Sequence, residues 1–354
     1  MPLNRRHLLK SAPYLVATPL LLTSPLRAAK IEFPAALLIP KTGEHAALGR
    51  SMERAAALAL GTAGALAQGA SGARQLLVFD TLGTPAGAVA AAKAALRAKA
   101  RIVLGPLLAG EVPGVISVVG KTVPVLAFSN DAALRESGAF VLGITAAQSV
   151  TAVLRYAAGR GIRRLAVGGS GAWGAQVATA AHDAARALNI EILPLPGEDA
   201  GHLPHMSSGG DSQPDAVLMA DIAALAEYAP VLKAQGMQML GAFNGFDIPT
   251  ETLRSIDGAW FAAPDPTVFA GFARAFEDRN GSPPGIITAL AYDAMLIVQQ
   301  MRAGGGVDRS ALLATAFPGG ACGALRFRED GSAARSLATL TATGGALHVI
   351  APPA

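Results

Sequence analysis

Residues Ile31 to Leu60 read IEFPAALLIPKTGEHAALGRSMERAAALAL, and this stretch sets the architecture. The run Phe33 to Ile39 is apolar, too short for a stable helix, and closed by Pro40 and the turn-forming Thr42-Gly43, so it reads as a buried strand. Ala46 to Gln68 follows as an Ala-rich helix. The alternation then continues: strand Gln75 to Asp80, helix Ala86 to Ala98, strand Ile102 to Leu104, a helix near Glu111 to Gly120, and strand Pro124 to Phe128. Strand, helix, strand at this spacing implies a parallel sheet covered on both faces, because a parallel return needs a crossover element.

A second series starts after Thr145. It runs helix Ala147 to Arg160, strand Leu165 to Val167, helix Gly174 to Leu188, strand Ile190 to Leu195, strand Ala216 to Met219, helix Ile222 to Gln235 and strand Met239 to Ala242. Pro196 to Pro214, rich in Gly, Ser and Pro, reads as a surface loop between strands. The last third carries helices at Val268 to Arg279, at Ile286 to Arg302 and near Ser310 to Phe317, then strand-like runs at Leu325 to Phe327 and Leu337 to Thr341. No repeat of solenoid period and no heptad run occurs.

A chain of 354 residues exceeds one ordinary core and implies two lobes with a cleft between them. Apolar residues make up 51% and aromatic residues only 5%, which means an interior of Ala, Val, Leu and Ile, as buried parallel strands require. The formal charge is +4, but Arg5, Arg6, Lys10 and Arg27 lie in the first 28 residues; without those four the 29 basic residues become 25, equal to the 25 acidic ones. A neutral remainder, with no basic stripe interleaved with aromatics, argues against nucleic acid as a partner. A single cysteine, Cys322, forms no internal disulfide.

Asn4 to Lys10 (NRRHLLK) resembles a twin-arginine export signal. The apolar segment Ser11 to Leu26 is broken by Pro13, Pro19 and Pro25, which implies a removable leader over residues 1–28 and no membrane span. Cleavage is expected near Ala28 or Ala29, without a lipobox cysteine to anchor a lipid. The expected compartment is the periplasm; an uncleaved amphipathic N-terminus kept in the cytoplasm is the alternative.

Five stretches in order, namely Ile31 to Leu60, Asp80 to Pro85, Ile102 to Leu108, Val123 to Asp131 (VPVLAFSND) and Ala289 to Ala294 (ALAYDA), resemble the leucine/isoleucine/valine-binding proteins among the type I periplasmic binding proteins. With GAWFAAPDP, the set looks most like the branch of penicillin-binding-protein activators, often described as ABC-transporter substrate-binding proteins. The resemblance covers nearly all of residues 30–345. It implies an α/β fold of two Rossmann-like lobes with parallel sheets joined by a three-strand hinge. Lobe one would hold residues 30–145 plus 265–335, and lobe two residues 146–264 plus 336–354. Ligand would bind between the lobes at strand C-termini.

The same resemblance supplies candidate ligand-binding residues. Ser129-Asn130-Asp131 would offer donors to a ligand carboxylate, and Ala109-Gly110, at a helix start, a second donor set. Trp173 falls where the family often places an aromatic followed by Gly. The family's amino-acid binders take the ligand ammonium on an acidic residue of lobe two; Asn244 occupies the nearest position here and Asp221 is the possible substitute. Asn130 and Asp131 as helix caps, and Trp173 as packing, are the structural alternatives.

Three chemical motifs compete with a binding role. Gly169 to Gly174 satisfies G-x-G-x-x-G after a strand, with Glu191 on the next strand, as in dinucleotide-binding enzymes, although Trp173 crowds the turn. Gly114 to Thr122 ends in Gly-Lys-Thr but has five residues between its glycines, one too many for a phosphate loop. His202 and His205 with Asp199 and Asp211 share a Gly/Pro/Ser loop that lacks a rigid element to fix a metal. The reading is a non-enzymatic, cofactor-free and metal-free protein that closes over a small polar ligand, amino-acid-like or related, for the membrane subunits of an ABC importer. The alternatives are a penicillin-binding-protein activator acting in peptidoglycan synthesis and a nucleotide-dependent enzyme.

Overall fold

The computed structural model describes residues 33–65, 76–195 and 213–353. In chain order the first half gives β1 Ala35–Ile39, α1 Ala46–Ala65, β2 Leu76–Asp80, α2 Pro85–Arg97, β3 Ile102–Leu104, α3 Val112–Val119, β4 Val125–Ala127 and β5 Phe140–Val141. The five strands form one sheet in the order β2-β1-β3-β4-β5, every pair parallel. Period-two burial shows how it is covered. Ala35, Leu37 and Ile39 face a core shared with α1, while Ala36 and Leu38 face the one built with α2 and α3, and all five are fully buried. Full burial of a Leu or Ile side chain stabilises by about 1.5–3 kcal/mol, so β1 anchors both faces.

The second half gives α4 Ala146–Gly159, β6 Arg164–Gly168, α5 Gly171–Leu188, β7 Glu191–Leu193, β8 Ala216–Met219, α6 Ile222–Ala234, β9 Gln238–Gly241, α7 Thr250–Ser255 and β10 Trp260–Ala263. The chain then returns to the first sheet with α8 Pro266–Asn280 and α9 Ile286–Gly304, the latter packed along α1. After α10 Arg309–Ala314 come β11 Ala316–Phe317, β12 Leu325–Phe327, β13 Ala333–Arg335, β14 Ala338–Thr343 and β15 Ala346–Ala351. The second sheet is ordered β15-β14-β10-β9-β8-β6-β7, with β14 and β15 antiparallel and the rest parallel. β11, β12 and β13 make a small antiparallel sheet. The α/β fold with two parallel-sheet lobes is thus observed, and the chain passes between them after β5, after β10 and after β13. No helix of the described residues is long and apolar enough to cross a membrane.

Several elements depart from the sequence expectation. The helix read near Ser310 to Phe317 stops at Ala314, because Ala316 and Phe317 pair with Arg326 and Leu325. β5, β10, β13, β15 and α7 were not read from the sequence at all. The export signal and the His202/His205 loop lie outside the described residues.

Among the described residues two carboxylates are buried. Asp293 of α9 accepts from the Ala321 and Cys322 amides at 2.7 and 3.0 Å, and its Oδ2 lies 3.9 Å from Nη1 of the buried Arg335. Arg335 in turn donates to the Cys322 carbonyl at 2.8 Å and to the Leu142 carbonyl at 2.9 Å. Burial pushes the Asp293 pKa up, opposed by Arg335 and the two amides; the neighbouring Cys322 thiol is pushed well above its ordinary 9.0, again by burial, so it is no ready nucleophile. The other carboxylate, Glu111, is fully buried ahead of α3. Its Oε2 accepts from the Leu108 amide at 3.0 Å, and the Thr81 side chain lies close enough to favour its charged form. Burial raises its pKa above 4.5, the Leu108 amide opposing.

Removing one partner of a buried pair strands the other charge, so Asp293→Ala should cost about 3–5 kcal/mol in urea denaturation. A loss below about 1 kcal/mol, the range of an exposed pair, would contradict this. For Glu111 the raised folded-state pKa means that its contribution is full below the unfolded value and is lost as pH rises through the folded one. Glu111→Gln should therefore gain stability relative to the parent as pH rises above the ordinary glutamate range. A variant-minus-parent difference that stays flat with pH would show that Glu111 does not titrate with folding.

Candidate functional site

At the C-terminal end of β4 the chain turns through Phe128-Ser129-Asn130-Asp131. Ser129 is buried, and its Oγ accepts from the Asp131 amide at 3.1 Å. The Asp131 carboxylate accepts from the Ala133 amide at 2.9 Å and so caps a short 3-10 turn, Ala132–Leu134. Among the described residues the Asn130 side-chain amide holds no hydrogen bond, which leaves it available to a ligand. Gly143, just beyond β5, donates to the Ser129 carbonyl at 3.2 Å. A Cβ at Gly143 would stand 2.4 Å from that oxygen, so only glycine lets the first crossing segment lie against the turn.

The turn forms one wall of a cavity of about 390 Å³. Leu48 from α1, Leu107, Phe128, and Ile286 and Leu290 from α9 make an apolar lining; Ser129, Asn130, Asp131, His45, Gln176 and Asn244 supply the polar groups. Ala109 also lines it, whereas Gly110 is exposed and does not. Among the described residues no Lys or Arg lines the cavity, so an anionic group there would rest on other donors.

Trp173 and Asp221 sit elsewhere, on a second hollow of about 580 Å³ at the rim of the second sheet, with Ser170, Ala220 and Asp247. Asn244, which follows β9, lines both hollows and joins them into one cleft between the lobes. The Trp173 indole N–H donates to the Ala220 carbonyl at 3.2 Å, and the ring packs against the core while one face lines the hollow. Asp221 is the cap of α6, accepting from the Ala223 and Ala224 amides at 2.7 and 3.4 Å. The capping alternative therefore describes Asp131 and Asp221, and Trp173 combines packing with a place on the cleft.

Two side chains that sequence reasoning did not single out belong to the same cavity. Gln176, three positions after Trp173 on α5, faces the same way by helical spacing, and its Oε1 accepts from the Ala132 amide at 3.5 Å, bridging the lobes. His45, which sits immediately ahead of α1, lines the cavity opposite.

The dinucleotide motif does not assemble a nucleotide site. A Cβ at Gly174 would stand 2.7 Å from the Gly169 carbonyl carbon, so the glycine pattern closes the strand-to-helix turn on itself. Glu191, expected at the ribose position, is the first residue of β7 and pairs with Arg164, the first residue of the parallel β6. It therefore lies at the end of the sheet away from the Gly169 turn. Among the described residues no group of three or more His, Cys, Asp or Glu side chains could hold a metal.

Comparison with known proteins agrees with this geometry. A family model described as periplasmic binding protein matches residues 32–346. Among solved structures, a protein from Rhodospirillum rubrum described as a branched-chain amino acid ABC transporter aligns with TM-score 0.76 and 22% identity, over 90% of this chain and 100% of its own. A solute-binding protein from R. palustris solved with benzoate aligns with TM-score 0.61 and 17% identity, over 91% of this chain and 97% of its own. Haemophilus influenzae LpoA aligns with TM-score 0.68 and 16% identity, over 90% of this chain and 58% of its own. No curated protein matches in sequence. With two parallel-sheet lobes, a cleft at the strand C-termini and a family match spanning both, the chain belongs to the periplasmic binding protein family.

Proposed function

We propose that this protein is the exported ligand-receiving subunit of an ABC importer, closing lobe one (30–145 plus 265–335) and lobe two (146–264 plus 336–354) over a small ligand. The observation that carries the reading is the inner cavity itself. Its lining combines the uncommitted Asn130 amide, the Ser129 turn and Ala109 with the apolar side chains of Leu48, Leu107, Ile286 and Leu290. That arrangement suits a molecule with a carboxylate or other polar head and an apolar body. The relative from R. palustris was solved with benzoate, a ligand of this form. Lobe two presents Asn244 to the inner cavity and keeps the Asp221 carboxylate in a helix cap, which favours ligands without an ammonium group over α-amino acids. A binding role without catalysis accords with the family.

The likeness to LpoA supports a second reading, a regulator of peptidoglycan synthesis that touches a penicillin-binding protein. The two readings differ in whether the cleft is occupied by a small molecule.

Thermal unfolding of the leaderless protein against aliphatic and aromatic carboxylates and branched-chain amino acids separates them. A ligand at 100 times its Kd should stabilise by about 2.7 kcal/mol. Asn130→Ala should weaken that ligand about fivefold or more, as loss of a buried hydrogen bond does. Trp173→Ala should do the same through lost aromatic contact, with the fold retained. If no carboxylate or amino acid shifts the midpoint, or if both variants bind as the parent does, the importer reading fails and the regulator reading gains.

A further inference from the structure

A hollow of about 540 Å³ lies beside the crossing segments and shares no lining residue with the cleft. It is bounded by α4, by residues 332–339 and by the end of β15. Three exposed arginines line it, Arg135, Arg155 and Arg328, beside Arg335, whose side chain is fully buried, and among the described residues no carboxylate does. Arg335 is committed to Asp293 and two carbonyls. Arg135 has a long contact, 4.0 Å, with Asp330, whose carboxylate also accepts from the Ser332 amide and hydroxyl at 2.9 and 2.6 Å. Arg155 and Arg328 are exposed, and among the described residues neither forms an ion pair within 4.0 Å.

The neutral groups point to the same chemistry. Thr151, Tyr156 and Ser336 line the hollow, and their hydroxyls hold no hydrogen bond among the described residues. The first turn of α4 opens onto it through Ala147, adding the partial positive charge of a helix start. Guanidinium groups recognise phosphate and carboxylate oxygens in pairs, which ammonium groups do not.

We propose that this hollow is a second binding site, for a small polyvalent anion bearing phosphate or carboxylate groups and larger than inorganic phosphate. Arg155 and Arg328 are its principal charged contacts, and Thr151, Tyr156 and Ser336 the neutral ones. Arg135 and residues 332–335 belong to lobe one and α4 to lobe two, so an anion held here bridges the lobes beside the hinge. Its occupancy is thereby coupled to the equilibrium between open and closed forms, and the coupling is reciprocal.

Calorimetric titration of the leaderless protein with pyrophosphate and with citrate, each against sodium chloride of matched ionic strength, tests the site. The Arg155→Gln/Arg328→Gln variant should bind roughly tenfold or more weakly, as loss of charge-assisted pairs implies. Its unfolding midpoint without anion should equal the parent's, since both side chains are exposed. Asn130→Ala, altered only in the cleft, and Arg50→Gln, an exposed arginine elsewhere, should bind the anion as the parent does; loss in Asn130→Ala would place the anion in the cleft and overturn the proposal. Pyrophosphate binding alone identifies a phosphate site, citrate binding alone a carboxylate site, and either supports the inference. No binding beyond the salt control, or equal binding by the double variant, overturns it.

Discussion

The guanidinium of Arg335 cannot reach water. It sits where the last crossing leaves lobe one, and its fixed charge is balanced by the Leu142 and Cys322 carbonyls and by the Asp293 carboxylate 3.9 Å away. Leu142 belongs to the first crossing and Asp293 to α9 under the first sheet, so one side chain ties two of the three hinge segments to the body of lobe one. A buried charge released from such partners costs far more than it returns, and the crossings are therefore held at a fixed spacing. Gln148 adds a second tie, its side-chain amide donating to the Ala333 carbonyl from within α4.

With the hinge fixed, the cleft follows from strand direction. In both sheets the parallel strands carry their C-terminal ends to the same rim, and the turns that follow β4, β6, β8 and β9 meet there. These turns hold Ser129, Asn130, Asp221 and Asn244, and Trp173 stands in the first turn of α5 just beyond β6. Three of the five polar or aromatic groups are already engaged in local structure: Asp221 caps a helix, the Trp173 indole N–H is bonded to Ala220, and Ser129 supports Asp131. These groups are held by local hydrogen bonds, and the amides of Asn130 and Asn244, which hold none among the described residues, are what the rim offers. Lobe closure requires only that a ligand prefer the closed form by its added contacts.

The strands of the sheets were legible because each is a short apolar run between turn signals, as in Ala35 to Ile39 and Ala216 to Met219. β5, β13 and β15 were not, since two or three residues of ordinary composition, or an exposed alternating edge strand, carry no period that sequence can report. The turn at Ser129 and the position of Trp173 were readable as polar or aromatic punctuation at a strand end. Gln176 and His45 were not, because a polar side chain on a helix or at its start reads as solvated until the partner lobe is in place. Glu191 misled for a related reason: its place on the next strand was visible, but which end of the sheet it occupied depended on register. Asp293 lay within a recognised motif, yet its partner Arg335 is 42 positions away and only the tertiary fold joins them.

Small-angle scattering of the leaderless protein with and without saturating ligand tests most directly whether two lobes on a fixed hinge close over a small molecule. A smaller radius of gyration is expected on ligand addition, with a scattering curve that shifts between two states with ligand concentration. A radius unchanged at saturation, with binding independently demonstrated, would contradict closure.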